Sequence, residues 1–190
     1  MSAADRLVDS MQTLLWENGY SGTSPRAVQE LADAGQGSMY HHFRSKAGLA
    51  VAAELKMSEE LEIQISARLA SGSSVREKIA AFLTLDENVL RGCRLGRLVQ
   101  DAAVVSDDSL RQPIATMFVW IQEQIRQVLT DGVRNGELDP TLDVDAVAAT
   151  ILAVRQGAYV LARGAQSGEP FRAATAGLLQ LLPERTRALG

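Results

Sequence analysis

The chain has 190 residues, of which 46% are hydrophobic and 5% aromatic, and its formal charge is −4 at pH 7. This length suffices for a buried core, and a composition rich in alanine, leucine and valine favours helices over sheets. The one cysteine, Cys93, excludes an intramolecular disulfide and a cysteine-built zinc site, and the lack of an apolar leader or an 18-residue apolar run predicts a cytoplasmic protein with no membrane partner.

The first half of the chain predicts a helix at 3–18, where apolar residues recur at helical spacing up to Gly19. Ser24 and Pro25 form a helix start signal for a short helix at roughly 25–32. Asp33-Ala34-Gly35 interrupts this helix, and a second short helix follows at about 36–43. A long helix then begins at Ser45 and breaks at Ser71-Gly72-Ser73-Ser74.

The second half predicts five more helices. Asn135-Gly136 is a stop signal for the longest of them, and the sequence shows no strand pattern, internal repeat or low-complexity tract. We therefore predict an all-α fold of about nine helices, with an N-terminal three-helix domain followed by a helical domain. The five helices are expected at 75 to near Gly92, at about 94–104, at about 109–135, at about 143–166 and at 170–182.

Two short helices joined by a three-residue turn are typical of a helix-turn-helix, in which the second helix enters the DNA major groove. The residues in this segment resemble the N-terminal domain of the TetR family of repressors, without a gap from Leu7 to Leu49. Two departures are Asp33-Ala34, where the family usually has Gly-Val, and Gly35, where it often has a capping Ser. The resemblance is carried by Gly19-Tyr20, Thr23-Ser24, Arg26, Val28 and the run Gly37-Ser38-Met39-Tyr40-His41-His42-Phe43-x-Ser45-Lys46.

We therefore expect a helix-turn-helix domain at 1–48, with the motif at about 24–43, and an effector-binding and dimerisation domain at 49–190. Because the first 56 residues hold five basic and six acidic residues, DNA binding must depend on a local basic patch rather than on net charge. The core of the small domain is predicted to contain Leu7, Met11, Leu15 and Trp16 together with Val28, Leu31, Met39 and Phe43.

Helix geometry places several polar residues at the exposed start of the second short helix. Gln36 is the best reader of base edges, because its amide both donates and accepts, and Gly37 permits close approach to the groove. The resemblance implies phosphate contacts from Thr23, Tyr40, His42 and Lys46, with Arg26 and Arg44 as weaker candidates. The expected DNA contacts are Thr23, Ser24, Arg26, Gln36, Gly37, Ser38, Tyr40, His41, His42 and Lys46.

The helix predicted at 143–166 has two apolar stripes, whereas a surface helix needs only one. One stripe contains Val144, Val147, Ala148, Ile151, Leu152 and Tyr159, and the other contains small residues that permit another helix to approach closely. Two stripes favour a two-fold symmetric dimer interface, as the TetR resemblance also implies, and the alternative is a fully buried helix of a monomer. The expected interface residues are Ala146, Ala149, Ala153, Gly157, Gly164, Leu178 and Leu182.

The resemblance also implies an effector pocket among the middle helices. Asp86 and Arg155 interrupt apolar stripes, so they pair with each other, pair elsewhere or hold a polar ligand. The segment Gly92-Cys93-x-Leu95-Gly96 resembles one in a branch of drug- and flavonoid-responsive repressors, and Cys93 is interpreted as an inert buried thiol rather than a redox switch. Candidate pocket residues are Phe82, Asp86, Leu98, Met117, Phe118, Trp120, Ile121, Arg155 and Tyr159.

These observations predict a TetR-like transcriptional regulator, a repressor released from an inverted-repeat operator by a small-molecule effector, with no cofactor. His41 and His42 do not predict a metal site, because adjacent helical residues point about 100° apart. An enzyme is disfavoured, since no catalytic motif is found. The alternative is a helical ligand-binding or scaffolding protein that does not bind DNA and would not need Tyr40, His42 and Lys46.

Overall fold

The structure is a computed structural model that describes residues 1–85 and 88–182, and all regular elements in that part of the chain are helical. The described residues contain nine α-helices and one 3₁₀ turn at Leu98–Gln100. The helices are α1 Ala3–Asn18, α2 Pro25–Leu31, α3 Gln36–Phe43, α4 Lys46–Ala70, α5 Val75–Leu83, α6 Ala102–Ser106, α7 Asp108–Arg134, α8 Val144–Ala165 and α9 Glu169–Leu181.

Helix ends follow the local capping signals. The Ser2 side chain accepts the Asp5 backbone N–H while the Asp5 carboxylate accepts the Ser2 backbone N–H, and Ser74 forms the same reciprocal pair with Glu77 at α5. Ser24 caps α2, with Pro25 in its first turn. Such caps satisfy backbone N–H groups that have no partner within the helix. Of the three, only the Ser24-Pro25 cap was recognised as a start signal in the sequence.

Two predicted helices are wrong in extent. The helix expected to reach Gly92 ends at Leu83, where the hydroxyl of Thr84 donates to the Ala80 carbonyl. The helix expected at 94–104 is divided, because Asp101 adopts an extended conformation and caps α6 by accepting the Ala103 N–H. A periodic apolar pattern continues through both breaks, so periodicity alone did not reveal them.

Contacts between Cα atoms divide the chain into two compact units. The first contains Met1–Leu61 and Cys93–Met117, and the second contains Glu62–Gly92 and the chain from Phe118 onward. The segment 93–117 thus packs with the N-terminal helices, although it lies far from them in sequence.

The core of the first unit largely agrees with the prediction. Leu7, Met11, Leu15, Val28 and Met39 have no exposed surface. Leu31 was expected in this core, but it is 54% exposed, because α2 turns Val28 and the following Ala32 inward. Trp16 and Phe43 are partly buried.

In the second unit, α8 packs against α9 along its larger apolar face. Ala148, Ile151, Leu152 and Tyr159 are buried there, as the sequence predicted. With 22 residues and a mean hydropathy of 1.3, α8 also has the length and composition of a membrane span, contrary to the absence of such a run expected from the sequence. Arg155 lies buried at its centre, and a charge in that position is rare in membrane-spanning helices.

Candidate nucleic-acid interface

The turn before α3 has the backbone conformation that the sequence predicted. Asp33 has φ of +47°, in the left-handed region that aspartate tolerates better than most residues. Gly35 occupies the N-cap position of α3 in an extended conformation and provides no side-chain cap. This turn separates α2 from α3, which begins at Gln36.

One side of α3 is anchored and the other is open. Met39 is fully buried, whereas Gln36, Gly37, Tyr40 and His41 are exposed. No atom lies within 4 Å of the position that a Cβ at Gly37 would occupy, apart from its own helix and neighbours. The expected base-reading residues therefore share an unobstructed helix face.

The three candidates before and within α2 differ in accessibility. Thr23 is 2% exposed, and its hydroxyl donates to the Gly19 carbonyl at 2.7 Å. Ser24 uses its Oγ to cap α2, at 3.1 Å from the Ala27 nitrogen. Arg26 is exposed and pairs with Glu30 at 2.7 Å. Thr23 is too buried to reach a phosphate and stabilises the local fold, whereas Arg26 and the hydroxyl of Ser24 are exposed and accessible to one.

Lys46 begins α4 and contacts the turn after α1. Its Nζ donates to the Tyr20 carbonyl at 2.7 Å and lies 4.0 Å from the centre of the Tyr20 ring. Burial lowers the pKa of Lys46, while Asp101 acts in the opposite direction. Since an ammonium group has three N–H donors, Lys46 can hold Tyr20 and contact a phosphate at the same time.

The effector candidates fall in both units. Leu98 and Met117 are buried in the first unit, and Phe82, Ile121, Arg155 and Tyr159 are buried in the second. Phe118 and Trp120 are partly buried, and Asp86 lies outside the described residues. The pairing of Asp86 with Arg155 therefore stays a prediction.

The structure brings Arg155, which is 1% exposed, together with two other candidates, Phe82 and Tyr159. Its guanidinium carbon lies 4.8 Å from the centre of the Phe82 ring and 5.2 Å from that of Tyr159. Tyr159 in turn packs on Phe171, with ring centres 4.8 Å apart. A buried cation between aromatic rings is favourable, because the ring faces are electronegative.

The second stripe of α8 is exposed, so the helix is not buried on all sides within the described chain. We call this stripe the α8 face. At Gly157 and Gly164 no atom lies within 4 Å of a built Cβ position, and α9 adds Leu181, which is 81% exposed. The α8 face contains Ala146, Ala149, Ala153, Gly157, Val160, Leu161 and Gly164.

Two residues expected in the dimer interface face the opposite way. Leu178 is 7% and Leu182 is 6% exposed, because both are buried within the protomer. A side chain already buried in its own unit has little surface left to offer a partner. Leucines lie on both sides of α9, since Leu178 is buried and Leu181 is exposed. The sequence therefore did not show which side of α9 faces inward.

Comparison with known proteins identifies the family to which the chain belongs. Residues 8–53 match the family model for bacterial regulatory proteins of the tetR family, and residues 73–178 match that for the tetracyclin repressor-like C-terminal domain. The second match alone covers more than half of the chain. This chain belongs to the TetR family.

Its relatives include regulators of similar length. The HTH-type transcriptional repressor DhaR of Mycobacterium sp. (strain GP1) is 25% identical over 168 residues, which cover 87% of this chain and 84% of DhaR. Reduced NemR of E. coli has a TM-score of 0.87 at 23% identity, with coverage of 97% and 98%. A CifR cysteine mutant, solved in complex with 26-bp double-strand operator DNA, has a TM-score of 0.82 at 21% identity, with coverage of 94% and 96%. These two structures share the TetR fold.

Three polar residues near the TetR helix-turn-helix were missed by the sequence analysis. Asp101 accepts hydrogen bonds from the backbone N–H and the hydroxyl of Ser21, each at 2.6 Å. Arg97 donates to the backbone carbonyls of Trp16 and Glu17 at the end of α1. Arg94 stacks 4.7 Å from the Trp16 ring centre. The spacing of 94, 97 and 101 suits one helical face, but no sequence signal identified α1 as its partner.

Replacing Asp101 by Ala is expected to lower the free energy of unfolding by about 1–2 kcal/mol, because it removes the α6 cap and the bonds to Ser21. Although burial alone would raise the pKa of Asp101, the hydrogen bonds from Ser21 and Ala103 hold it below its usual value, so the lost group is a carboxylate at neutral pH. Urea denaturation measures the effect. Asp139→Ala is the matched control, since Asp139 bonds to Thr141 two residues away in the second unit. An unfolding free energy of Asp101→Ala equal to that of the unaltered protein would contradict a role for Asp101 in holding the turn before α2.

Proposed function

We propose that the chain is a cytoplasmic homodimeric repressor that binds an inverted-repeat operator through α3 and leaves it when a small organic effector binds. The main support is the exposed face of α3. The opposite face of this helix packs into the core through Met39. Family membership and the DNA complex of the fold relative CifR agree with this role. The proposal keeps a division between a DNA-binding domain at 1–48 and an effector and dimerisation domain at 49–190.

In this proposal, the α3 face provides the sequence-specific contacts. Gln36 contacts base edges, and Gly37 allows the backbone to approach the groove closely. Tyr40, His42 and Lys46 contact phosphates, which set the register of the protein but carry no sequence information. Thr23 contributes by holding the end of α1 through its hydrogen bond to Gly19, and the exposed Ser24 contacts DNA while it caps α2.

Dimerisation is proposed to use the α8 face and the exposed side of α9. Small residues there would allow helices of two protomers to approach closely, and Val160 and Leu161, both more than half exposed, would become buried. A two-fold dimer presents two copies of α3, and this matches the symmetry of an inverted repeat. One α3 alone makes too few contacts for tight specific binding.

The effector is proposed to bind near Arg155, Phe82 and Tyr159. The buried guanidinium and two aromatic rings provide charge-assisted and stacking contacts for a planar organic molecule. The resemblance of Gly92-Cys93-x-Leu95-Gly96 to drug- and flavonoid-responsive repressors points in the same direction. Cys93 is 8% exposed and accepts the Gly96 N–H at 3.3 Å, which supports an inert thiol.

The decisive experiment selects genomic DNA fragments that bind the purified protein and measures their affinity by mobility shift. We expect the selected fragments to share an inverted repeat. Recovery of fragments with no shared sequence would overturn the proposal and favour a helical ligand-binding protein. Candidate organic effectors are then added to the complex, and an affinity that stays constant at saturating effector would remove the release mechanism.

Replacing Lys46 by Ala is expected to weaken binding to all DNA sequences and to reduce the slope of log affinity against log salt by about 1 for each half-site. The reason is that one fewer phosphate is neutralised, so fewer counterions are released. Fluorescence anisotropy over a salt series measures this slope. Lys46→Arg retains the charge and is expected to retain the slope, and an equal slope for the Ala variant would show that Lys46 does not contact phosphate.

A further inference from the structure

Glu54 is a buried acid that DNA binding does not explain. It lies on α4 in the first unit, which also contains α3, and its side chain has no exposed surface. Neither of its carboxyl oxygens has a hydrogen-bond partner among the described residues. The nearby hydroxyl of Ser58 donates to the backbone carbonyl of Glu54 at 3.0 Å, so it does not serve the carboxyl group.

The charged groups around Glu54 do not compensate a negative charge. Burial, followed by the charge of Asp107 before α7, raises the pKa of Glu54 to about 8. Glu54 in turn contributes to the raised pKa of Tyr20, after burial and the charges of Asp107 and Asp101. The nearby ammonium group of Lys46 donates to the Tyr20 carbonyl and makes no hydrogen bond to the Glu54 carboxyl group. An ionised Glu54 would therefore be a buried charge facing the negative charge of Asp107, which is strongly unfavourable.

We propose that Glu54 is a proton-controlled switch for opening of the first unit. When Glu54 is protonated, its neutral carboxyl group is compatible with the closed packing seen here. When the proton is lost, the carboxylate gains water by opening of the unit, which also contains α3. The consequence for operator release rests on the proposed function, whereas the proton-controlled opening itself does not.

The sign of the pH effect follows from proton binding. Between the ordinary carboxyl pKa of 4.5 and the value of about 8 in the closed unit, the closed form holds a proton that the open form has lost. In this window the opening equilibrium constant rises up to about tenfold for each pH unit, and above it the dependence ends. Rising pH therefore loosens the DNA-binding unit.

The test is native-state hydrogen exchange of α3 and α4 backbone amides at pH 6.5 and 8.0, corrected for intrinsic exchange rates. In the unaltered protein we expect the opening constant to rise by about 15-fold across this interval. In Glu54→Gln and Glu54→Leu the rise is expected to disappear, whatever the absolute stability of each variant. Glu59→Gln, an exposed change on the same helix, is the matched control and should retain the rise.

A direct titration completes the test. The carboxyl carbon of Glu54, assigned by its absence from the spectrum of Glu54→Gln, is followed by ¹³C NMR. A midpoint near 8 supports the switch, whereas a midpoint near 4.5 or an identical rise in all variants would overturn it. If opening depends on Glu54 but no operator is found, the switch stands and the proposed function fails, so the two failures are distinguishable.

Discussion

Replacing Gly157 by Glu is expected to convert the protein to a monomer and to lower operator affinity by about 10³-fold or more, the usual gap between specific and non-specific DNA binding. Gly157 is exposed on α8 with open space at its Cβ position, so an isolated protomer accommodates the new side chain. Glutamate even favours the helix relative to glycine, by about 0.5–1 kcal/mol. In a dimer, by contrast, two carboxylates would be buried against the opposing α8 face. The loss is therefore one of assembly rather than of folding.

Sedimentation or light scattering measures the mass of the variant, circular dichroism its helix content, and fluorescence anisotropy its operator affinity. Ala67→Glu is the matched control, because it places the same charge on an exposed position of a different helix, α4. A Gly157→Glu protein that remains a dimer would place the interface elsewhere. A monomer that keeps full operator affinity would separate dimerisation from DNA binding.

Replacing Gln36 by Ala is expected to lower affinity for the selected operator by about 30-fold to about 10⁴-fold, from about 1–3 kcal/mol of base contact in each of two half-sites. The same change is expected to leave binding to unrelated DNA nearly constant, because Gln36 carries no charge for phosphates. Gln36 is exposed at the start of α3, and its loss removes no internal hydrogen bond that the described structure contains. Stability should therefore stay unchanged.

Operators with single base-pair changes identify the contacted base, since one changed position should no longer weaken binding of the variant. Lys46→Ala provides the contrast, because it should weaken all operators alike. If Gln36→Ala binds every operator variant with the same preference as the unaltered protein, then Gln36 does not read sequence. Recognition of the base sequence would then be assigned to Tyr40 or His41, which share the exposed α3 face.

Much of the DNA-binding unit was predictable because its signals are local. Ser24 and Pro25 mark the start of α2, and the left-handed Asp33 marks the turn. The family resemblance is confirmed by the two matching family models, although its finer branch stays a proposal. Predicted helix ends were wrong where a local pattern was compatible with more than one structure. At Leu83, for example, a periodic apolar stripe continued beyond the true end of the helix.

The sequence by itself determined most of the helices, the helix-turn-helix and the two apolar stripes of α8, because these depend on residues three or four positions apart. Only the tertiary structure decided that Leu31 faces solvent, that Leu178 faces inward and that Glu54 is buried with its carboxyl group unpartnered among the described residues. It also joined Asp101 to Ser21 across 80 positions of sequence. The physical reason is that burial and pairing depend on which distant elements pack together, and a local repeat contains no information about that choice.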